Sequence, residues 1–261
     1  MTSSPSLTSF TALSFDVYAT LIDWESGVYI ALGPPRSRLP EAHPLKNNKR
    51  ALLEIFTRHE EILQGRHPDM NYAELLGMVY AEMTTELGTP SESETLGQEK
   101  AAFGGAVGLW PAFPDTVEAL KRLQKRYKLI VLSNVDAESF SRTLAGPLEG
   151  VHFDAVYTAQ QIGSYKPDLR NFEFMVHHAE KDLGVKRDGF LHTAQALKHD
   201  HVPAHKSGLK CCWIERAGKD AAIGGRPEDF GDSLDLSFRF KTLGEMAEAV
   251  DEAFNHGERT A

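Results

Sequence analysis

The sequence of 261 residues has only two cysteines and lacks any long hydrophobic run. Cys211 and Cys212 are neighbours in an apolar segment, so on a strand they would point to opposite faces, which disfavours a disulfide between them. Two buried free thiols are typical of a reducing compartment. No apolar run approaches membrane-spanning length, and the N-terminal residues do not have the pattern of a secretory signal. We therefore expect a soluble cytoplasmic protein.

The chain also lacks an excess of positive charge. It has 28 Lys and Arg against 37 Asp and Glu, a formal net charge of -9. This balance argues against nucleic acid or an anionic membrane as the main partner. An anionic substrate would have to be attracted by a local cluster of basic residues. The hydrophobic fraction of 41% is ordinary for a globular enzyme.

A carboxylate ends the first apolar run of the chain. Ala12, Leu13 and Phe15 lead directly into Asp16. The run predicts a buried strand, and open α/β sheets place their chemistry at the carboxyl ends of strands. An aspartate that caps a turn is the commoner case. Asp16 therefore needs partners elsewhere in the chain before it can be considered a nucleophile.

Short apolar runs alternate with helical patterns in the second half of the chain. This alternation is typical of a parallel, doubly wound sheet. Residues 218–233, rich in glycine and acidic residues, predict a surface loop. The predicted strands lie at 129–132, 153–157, near 190, at 211–214 and at 236–240, and a helix over 243–254 follows them.

The region between Asp16 and the second predicted strand shows helical spacing and no strand. Gly33, Pro34, Pro35 and Pro40 predict loops and turns at its start. Apolar spacing then predicts helices over about 46–65, 71–88 and 91–103. We expect a Rossmann-like core with an α-helical cap inserted after the first strand. In this division the core comprises residues 1–24 and 110–261, and the cap comprises residues 25–109.

Three further polar sites lie near the ends of predicted strands. Ser133 and Asn134 follow one strand, Lys166 precedes a helix, and Asp200 follows the strand near residue 190. A nucleophilic carboxylate, an oxyanion-binding hydroxyl and amide, a charge-holding lysine and a second carboxylate form a coherent site. Taken singly, each residue could be a cap or a solvated surface group. Their order along the chain favours a catalytic site.

The order and spacing of these motifs resemble the haloacid dehalogenase superfamily, from Ser14 to about Arg216. The segments DVYAT, SYKPDLRNF and CCWIER look like its L-2-haloacid dehalogenase (type II) branch, and Thr20 matches the threonine of that branch. Phosphatases of the superfamily carry a second Asp, a general acid, where this chain has Tyr18. That difference removes the proton donor for a phosphate leaving group.

The resemblance implies a hydrolase in which Asp16 attacks the halogen-bearing carbon of a small 2-halocarboxylic acid. An ester would form, and water would hydrolyse it. Lys166 would balance the charge of the nucleophile, and Asp200 would orient or activate the water. That chemistry requires no metal or other cofactor, and dimers are common in this branch. The other residues expected in the site are Thr20 and Ser133 for catalysis and Tyr18 and Asn134 for substrate binding.

The cap side of the site is predicted from aromatic and basic residues. Four aromatic residues could line an apolar pocket or simply pack the cap on the core: Trp24, Tyr29, Trp110 and Phe113. Dehalogenases of this branch grip the substrate carboxylate with a cap arginine. We expect Arg58 in that role because it lies on the first predicted cap helix, with Arg36 and Arg50 as alternatives.

The chain departs from the dehalogenase pattern at Phe172, Gln195 and Leu197, where the branch has Tyr, Ser and Asn. Because an apolar Leu197 cannot hold a water, the same site could act on a different or larger substrate or catalyse isomerisation or elimination. A Mg²⁺-dependent phosphatase and a non-catalytic binding protein are further alternatives. Three histidines lie around Asp200, namely His199, His201 and His205, and their spacing matches no standard zinc site. Either His199 or His201 could act as an acid or a base.

Overall fold

A computed structural model describes residues 5–216 and 225–260 of the chain, with residues 257–260 described by their backbone alone. Its strands are β1 (Ala12–Phe15), β2 (Lys128–Ser133), β3 (Ala155–Thr158), β4 (Phe190–Ala194), β5 (Lys210–Ile214) and β6 (Leu236–Phe240). They form one six-stranded sheet in the order β3-β2-β1-β4-β5-β6. All neighbouring strands are parallel. The predicted fold class, a doubly wound α/β sheet, is confirmed.

The helices lie in two groups along the chain. Those between β1 and β2 are α1 (Trp24–Ala31), α2 (Gly33–Arg38), α3 (Lys49–Arg66), α4 (Tyr72–Glu86), α5 (Ser93–Gly105) and α6 (Thr116–Leu123). Those after β2 are α7 (Ala137–Ala145), α8 (Ala159–Ile162), α9 (Leu169–Leu183), α10 (Val202–Lys206) and α11 (Leu243–Thr260). Short 3-10 and π segments complete the connections. The predicted helices of the insertion correspond to α3, α4 and α5.

The start of the insertion was predicted as loop, and the structure corrects this. Residues 24–31 and 33–38 are helical, and Pro34 and Pro35 lie in the first turn of α2. The first N–H groups of a helix have no partner within it, so proline is tolerated there. Proline therefore marks the beginning of this helix.

Aromatic contacts connect the helices of the insertion. The ring of Phe56 lies 5.8 Å from that of Trp24 and 6.1 Å from that of Phe103. Tyr80 packs on Phe103 at 5.1 Å. These rings belong to the same hydrophobic cluster as one face of the sheet. We propose that residues 25–109 form the cap domain.

Cys211 and Cys212 are buried free thiols of β5 that lie in different hydrophobic clusters. The predicted placement on opposite faces of the strand is therefore confirmed. Within residues 5–216 and 225–260, none of the helices combines the length and hydrophobicity that a membrane crossing requires. Of the predicted loop 218–233, residues 218–224 lie outside the described residues, and the rest contains two short 3-10 turns, Pro227–Asp229 and Gly231–Ser233.

Candidate active site

Asp16 directly follows β1 and is held by two side chains. Lys166 Nζ donates to Asp16 Oδ1 at 2.8 Å, and Thr20 Oγ1 donates to Asp16 Oδ2 at 2.8 Å. Thr20 Oγ1 also accepts a hydrogen bond from the backbone N–H of Gln195 at 2.9 Å. A tight turn returns Thr20 to Asp16, and within it Ala19 has a φ of 82°, a region that favours glycine. The carboxylate is thus fixed in orientation.

Lys166 is buried and uses all three of its N–H bonds. Its Nζ donates to Asp16 Oδ1, to Asp200 Oδ1 at 2.6 Å and to the backbone oxygen of Leu132 at 3.0 Å. An ammonium group has three donors and no acceptor. Burial lowers the pKa of Lys166, but the two carboxylates outweigh it and raise the pKa above its usual value. Lys166 is therefore a permanent cation between two carboxylates.

Asp200 is the second carboxylate, and a buried histidine holds it from the other side. His192 Nε2 lies 3.1 Å from Asp200 Oδ1, and His192 Nδ1 lies 2.9 Å from Ser14 Oγ. Ser14 and His192 face each other in the parallel pairing of β1 with β4. A chain of hydrogen bonds therefore connects Ser14, His192 and Asp200 to Lys166.

The pKa values of the two carboxyl groups are shifted in opposite directions. Burial, reinforced by Asp200, raises the pKa of Asp16 despite the opposing effect of Lys166. For Asp200, burial also raises the pKa, but Lys166 and His192 outweigh it and hold the pKa well below its usual value. Asp200 is consequently a permanent anion and a weak base, whereas Asp16 is the more basic of the pair.

Ser133 is the last residue of β2 and Asn134 follows it, but their side chains make different contacts. The Asn134 side chain accepts from the backbone N–H of Lys166 at 2.7 Å and donates to the Lys166 carbonyl at 3.0 Å. This pair of bonds positions the segment that carries Lys166. Ser133 Oγ is buried and has no partner among the described residues. Its hydroxyl is therefore available to a ligand.

A cavity of about 80 Å³ lies next to Asp16. Its core wall includes the predicted catalytic and binding residues Asp16, Ser133, Asn134, Lys166 and Asp200, together with His199. On the opposite side it is lined by Trp24, the last residue of the first core segment, and by the cap residues Phe56, Glu60, Glu61, Gln64 and Tyr72, which form its cap wall. Tyr18 and Trp110 line the cavity between the two walls, with ring centroids 5.7 Å apart. The residues predicted for catalysis and substrate binding thus all line the cavity except Arg58 and Thr20, and Thr20 is hydrogen bonded to Asp16.

The structure does not place Arg58, the residue predicted to grip a substrate carboxylate, at the cavity. Arg58 lies on the exposed face of α3, where its guanidinium pairs with Glu86. The alternatives are also engaged elsewhere, Arg50 with Glu54 and Arg36 with the carbonyl of Tyr29. In the described part of the chain, no arginine lines the cavity.

Of the four aromatic residues expected near the site, two lie at the cavity and two do not. Trp24 and Trp110 line the cavity. Tyr29 instead stacks beneath Arg36, and Phe113 stacks beneath Arg216. A cation above an aromatic face is a stabilising packing contact. These two rings therefore serve packing away from the site.

Of the histidines near Asp200, one lines the cavity and another is buried away from it. His199 lines the cavity, and burial lowers its pKa, so the imidazole is neutral at pH 7. His201 is buried with Nε2 next to the Ala194 carbonyl at 2.9 Å, and burial lowers its pKa to about 4. Among the described residues, no group of three His, Cys, Asp or Glu side chains is arranged to hold a metal ion.

Two parts of the site were missed from the sequence. Ser14 and His192 are polar residues within fully buried strands, and their polarity was an available signal. The acidic cap wall was also missed. Glu60 and Gln64 follow Phe56 at steps of four residues and therefore share its helix face. Tyr72 OH donates to Glu60 Oε1 at 2.5 Å, and burial raises the pKa of Glu60 to about 7.

Comparison with known proteins agrees with this geometry. A profile of the haloacid dehalogenase-like hydrolase family matches residues 10–215. The (S)-2-haloacid dehalogenase of Pseudomonas sp. (strain YL) is 34% identical over 216 residues, which cover 79% of this chain and 83% of that protein. The profile match and the sequence identity accord with a buried aspartate at the carboxyl edge of a parallel sheet. The chain belongs to the haloacid dehalogenase-like hydrolase family and resembles its L-2-haloacid dehalogenases.

Solved structures show the same fold. The L-2-haloacid dehalogenase from Xanthobacter autotrophicus superposes with a TM-score of 0.71 at 18% identity, over 93% of this chain and 98% of that one. The same enzyme is also known with chloropropionic acid covalently bound. Another crystal structure of a dehalogenase superposes with a TM-score of 0.71 at 21% identity, over 91% of this chain and 95% of that chain.

Proposed function

We propose that this protein is a hydrolytic dehalogenase that acts on a small 2-halocarboxylic acid or a derivative of one. An oxygen of Asp16 attacks the carbon that bears the halogen. The new C–O bond forms as the carbon–halogen bond breaks, and the halide leaves with the electron pair. The enzyme then carries an alkyl ester on Asp16.

The observation that carries this proposal is the surroundings of the Asp16 carboxylate. Two donors orient it toward a cavity, yet the side chain two positions later cannot supply a proton. The Tyr18 hydroxyl is hydrogen bonded to Thr143 Oγ1 at 2.9 Å, and burial raises the pKa of Tyr18 well above its usual value. A halide is a very weak base and leaves without protonation. A phosphate ester releases an alkoxide, which needs an acid.

The second step is hydrolysis of the ester. Water adds its oxygen to the carboxyl carbon of Asp16, the bond to the substrate oxygen breaks, and that oxygen takes a proton. Asp200 orients the water, because its low pKa makes it a poor base. Neutral His199, on the same cavity wall, accepts the proton of the water. The products are a 2-hydroxy compound, one halide and one proton.

One observation favours a non-hydrolytic alternative with the same nucleophile. Leu197, at a position where the dehalogenase pattern has a polar residue, is fully buried at the start of the segment that carries Asp200. An apolar side chain there offers no hydrogen bond to a water. Elimination or isomerisation through Asp16 would then end without water attack on the ester.

Single turnover in H₂¹⁸O separates these reactions. Wild-type enzyme in excess is incubated with L-2-chloropropionate or L-2-chloropropionamide, with EDTA present. Halide release accompanied by ¹⁸O in the Asp16 peptide, read by mass spectrometry, is the expected result. Halide release without label would favour the alternative. The Asp16→Asn variant, which keeps the shape of the side chain, should release no halide.

A further inference from the structure

The cap wall of the cavity carries acidic side chains and, among its described lining residues, no Lys or Arg. Glu60 and Glu61 both line the cavity from α3, beside Gln64. Glu61 forms an ion pair with Lys198 at 2.8 Å, whereas Glu60 accepts a hydrogen bond from the neutral Tyr72 hydroxyl. A substrate carboxylate in this cavity would lie among like charges, and their repulsion opposes its binding.

The cationic side chain of the site already makes all its hydrogen bonds to protein groups. Among the described lining residues, Lys166 is the only Lys or Arg, and its three N–H bonds go to Asp16, Asp200 and the Leu132 carbonyl. The described lining residues carry four carboxyl groups, those of Asp16, Glu60, Glu61 and Asp200. An anionic substrate therefore finds no free charged donor on the described walls and lies next to side chains of its own charge.

Two donors on the cavity walls have no protein partner within the described ranges. Trp110 Nε1 and Ser133 Oγ are buried atoms without a hydrogen bond, and both residues line the cavity. An indole N–H can only donate. Because a buried unpaired donor is costly, the pair indicates a ligand with an acceptor oxygen. The acidic wall, in contrast, presents acceptors and requires a donor.

We propose that the substrate is an uncharged 2-haloamide and not a 2-halocarboxylate ion. An amide supplies both partners: its N–H₂ donates to the Glu60 side of the cavity, and its carbonyl oxygen accepts from Trp110 Nε1 and Ser133 Oγ. This assignment rests on the proposed dehalogenation through Asp16. The amide C–N bond stays intact throughout, and the product is a 2-hydroxyamide with one halide and one proton.

Binding of unreactive analogues tests the charge of the substrate without any turnover. Propionamide, propionate and propylammonium are titrated into wild-type protein at pH 8, with tryptophan fluorescence as the readout. Propionamide should bind at least about tenfold more tightly than propionate, because like charges oppose the anion. Tighter binding of propionate, or equal binding of all three, would overturn the proposal. Tightest binding of propylammonium would overturn it in favour of a cationic substrate.

The Glu60→Gln variant tests the residue that the argument uses. Glutamine can still accept from Tyr72, but it removes the negative charge. The preference for propionamide over propionate should fall about tenfold in this variant. Glu54→Gln, on the exposed part of the same helix, should leave the preference as in wild type. An unchanged preference in Glu60→Gln would exclude Glu60 as the selecting group and overturn the proposal.

Turnover separates the substrate class from the reaction. Halide release from L-2-chloropropionamide that exceeds release from L-2-chloropropionate supports both proposals. Release from the carboxylate alone keeps the dehalogenase function and overturns the amide class. Release from neither overturns the dehalogenase function and, with it, the haloamide as substrate, whatever the binding titrations give.

Discussion

Lys166 Nζ lies 2.8 Å from Asp16 Oδ1, and both side chains are almost closed to solvent, with exposures of 2% and 9%. A buried charge that loses its partner costs about 3–5 kcal/mol. We predict that Lys166→Met lowers the free energy of unfolding at pH 7 by about that amount and abolishes halide release. The loss should be smaller at pH 5, because Asp16, whose pKa is already raised, can then take up a proton. Urea unfolding at both pH values measures this.

The matched control for this prediction is Lys210→Met. Lys210 is exposed and pairs with Asp235 at 3.3 Å. Exposed pairs contribute about 0–1 kcal/mol, so this variant should unfold close to wild type at both pH values. If the two lysine variants lost equal stability, Lys166 could not be the charge that holds the two carboxylates together.

The Ser14–His192–Asp200 chain predicts coupling between two strands. Ser14→Ala and His192→Phe each leave a buried polar group without its partner, at a cost of about 1–3 kcal/mol. The double variant should lose less than the sum of the two, with a coupling energy of about 0.5–3 kcal/mol. Urea unfolding of the four proteins gives this value. Purely additive losses would contradict the hydrogen bond between Ser14 and His192.

His192 also acts as a positioning residue for Asp200. We therefore expect His192→Phe to lower kcat and to leave KM nearly unchanged, because the carboxylate that we propose to orient the water moves while the cavity walls remain. Ser14→Ala should affect kcat less, since it acts through His192. A change confined to KM would indicate that His192 supports the cavity wall instead.

The raised pKa of Glu60 makes the free energy of unfolding depend on pH. Burial raises its pKa from 4.5 to about 7, so between these values the folded protein binds a proton that the unfolded chain has released. Stability contributed by this group therefore falls as the pH rises through that window. Glu60→Gln should gain stability relative to wild type between pH 4.5 and 8, by up to about 3 kcal/mol. Urea unfolding across this range should show no such gain for Glu54→Gln.

The indole of Trp110 packs directly against Gly27 and leaves no room for a side chain there. A Cβ atom at Gly27 would lie 2.2 Å from Trp110 Cγ, so alanine must displace the indole. Overpacking of this kind costs about 1–3 kcal/mol. We expect Gly27→Ala to lose this stability and to weaken ligand binding at the cavity. At Gly97 in α5, an added methyl group would meet no atom within 4 Å. Gly97→Ala should therefore gain about 0.5–1 kcal/mol in thermal or urea unfolding.

Local patterns were sufficient for most of the fold. Apolar runs with helices between them predicted the parallel sheet, because a buried strand and an amphipathic helix each leave their own period in the sequence. The failure at α2 came from proline, whose effect depends on whether it lies in the first turn of a helix or within it. Periodicity also contained information that was not used. Arg58 lies two residues from buried Phe56 and hence on the opposite face of α3, whereas Glu60 lies four residues from Phe56.

The sequence by itself determined the sheet, the position of Asp16 at the end of β1, and the set of polar residues at strand ends. These features follow from local hydrophobic spacing and from the shared edge of parallel strands. Only the tertiary structure decided how the charges are distributed. Lys166 donates to Asp16, Asp200 and Leu132, and Glu60 lines the cavity with no cationic partner among the described residues. Both facts depend on distances between segments far apart in the chain. Local patterns carry no such distances, and electrostatic energy depends on them directly.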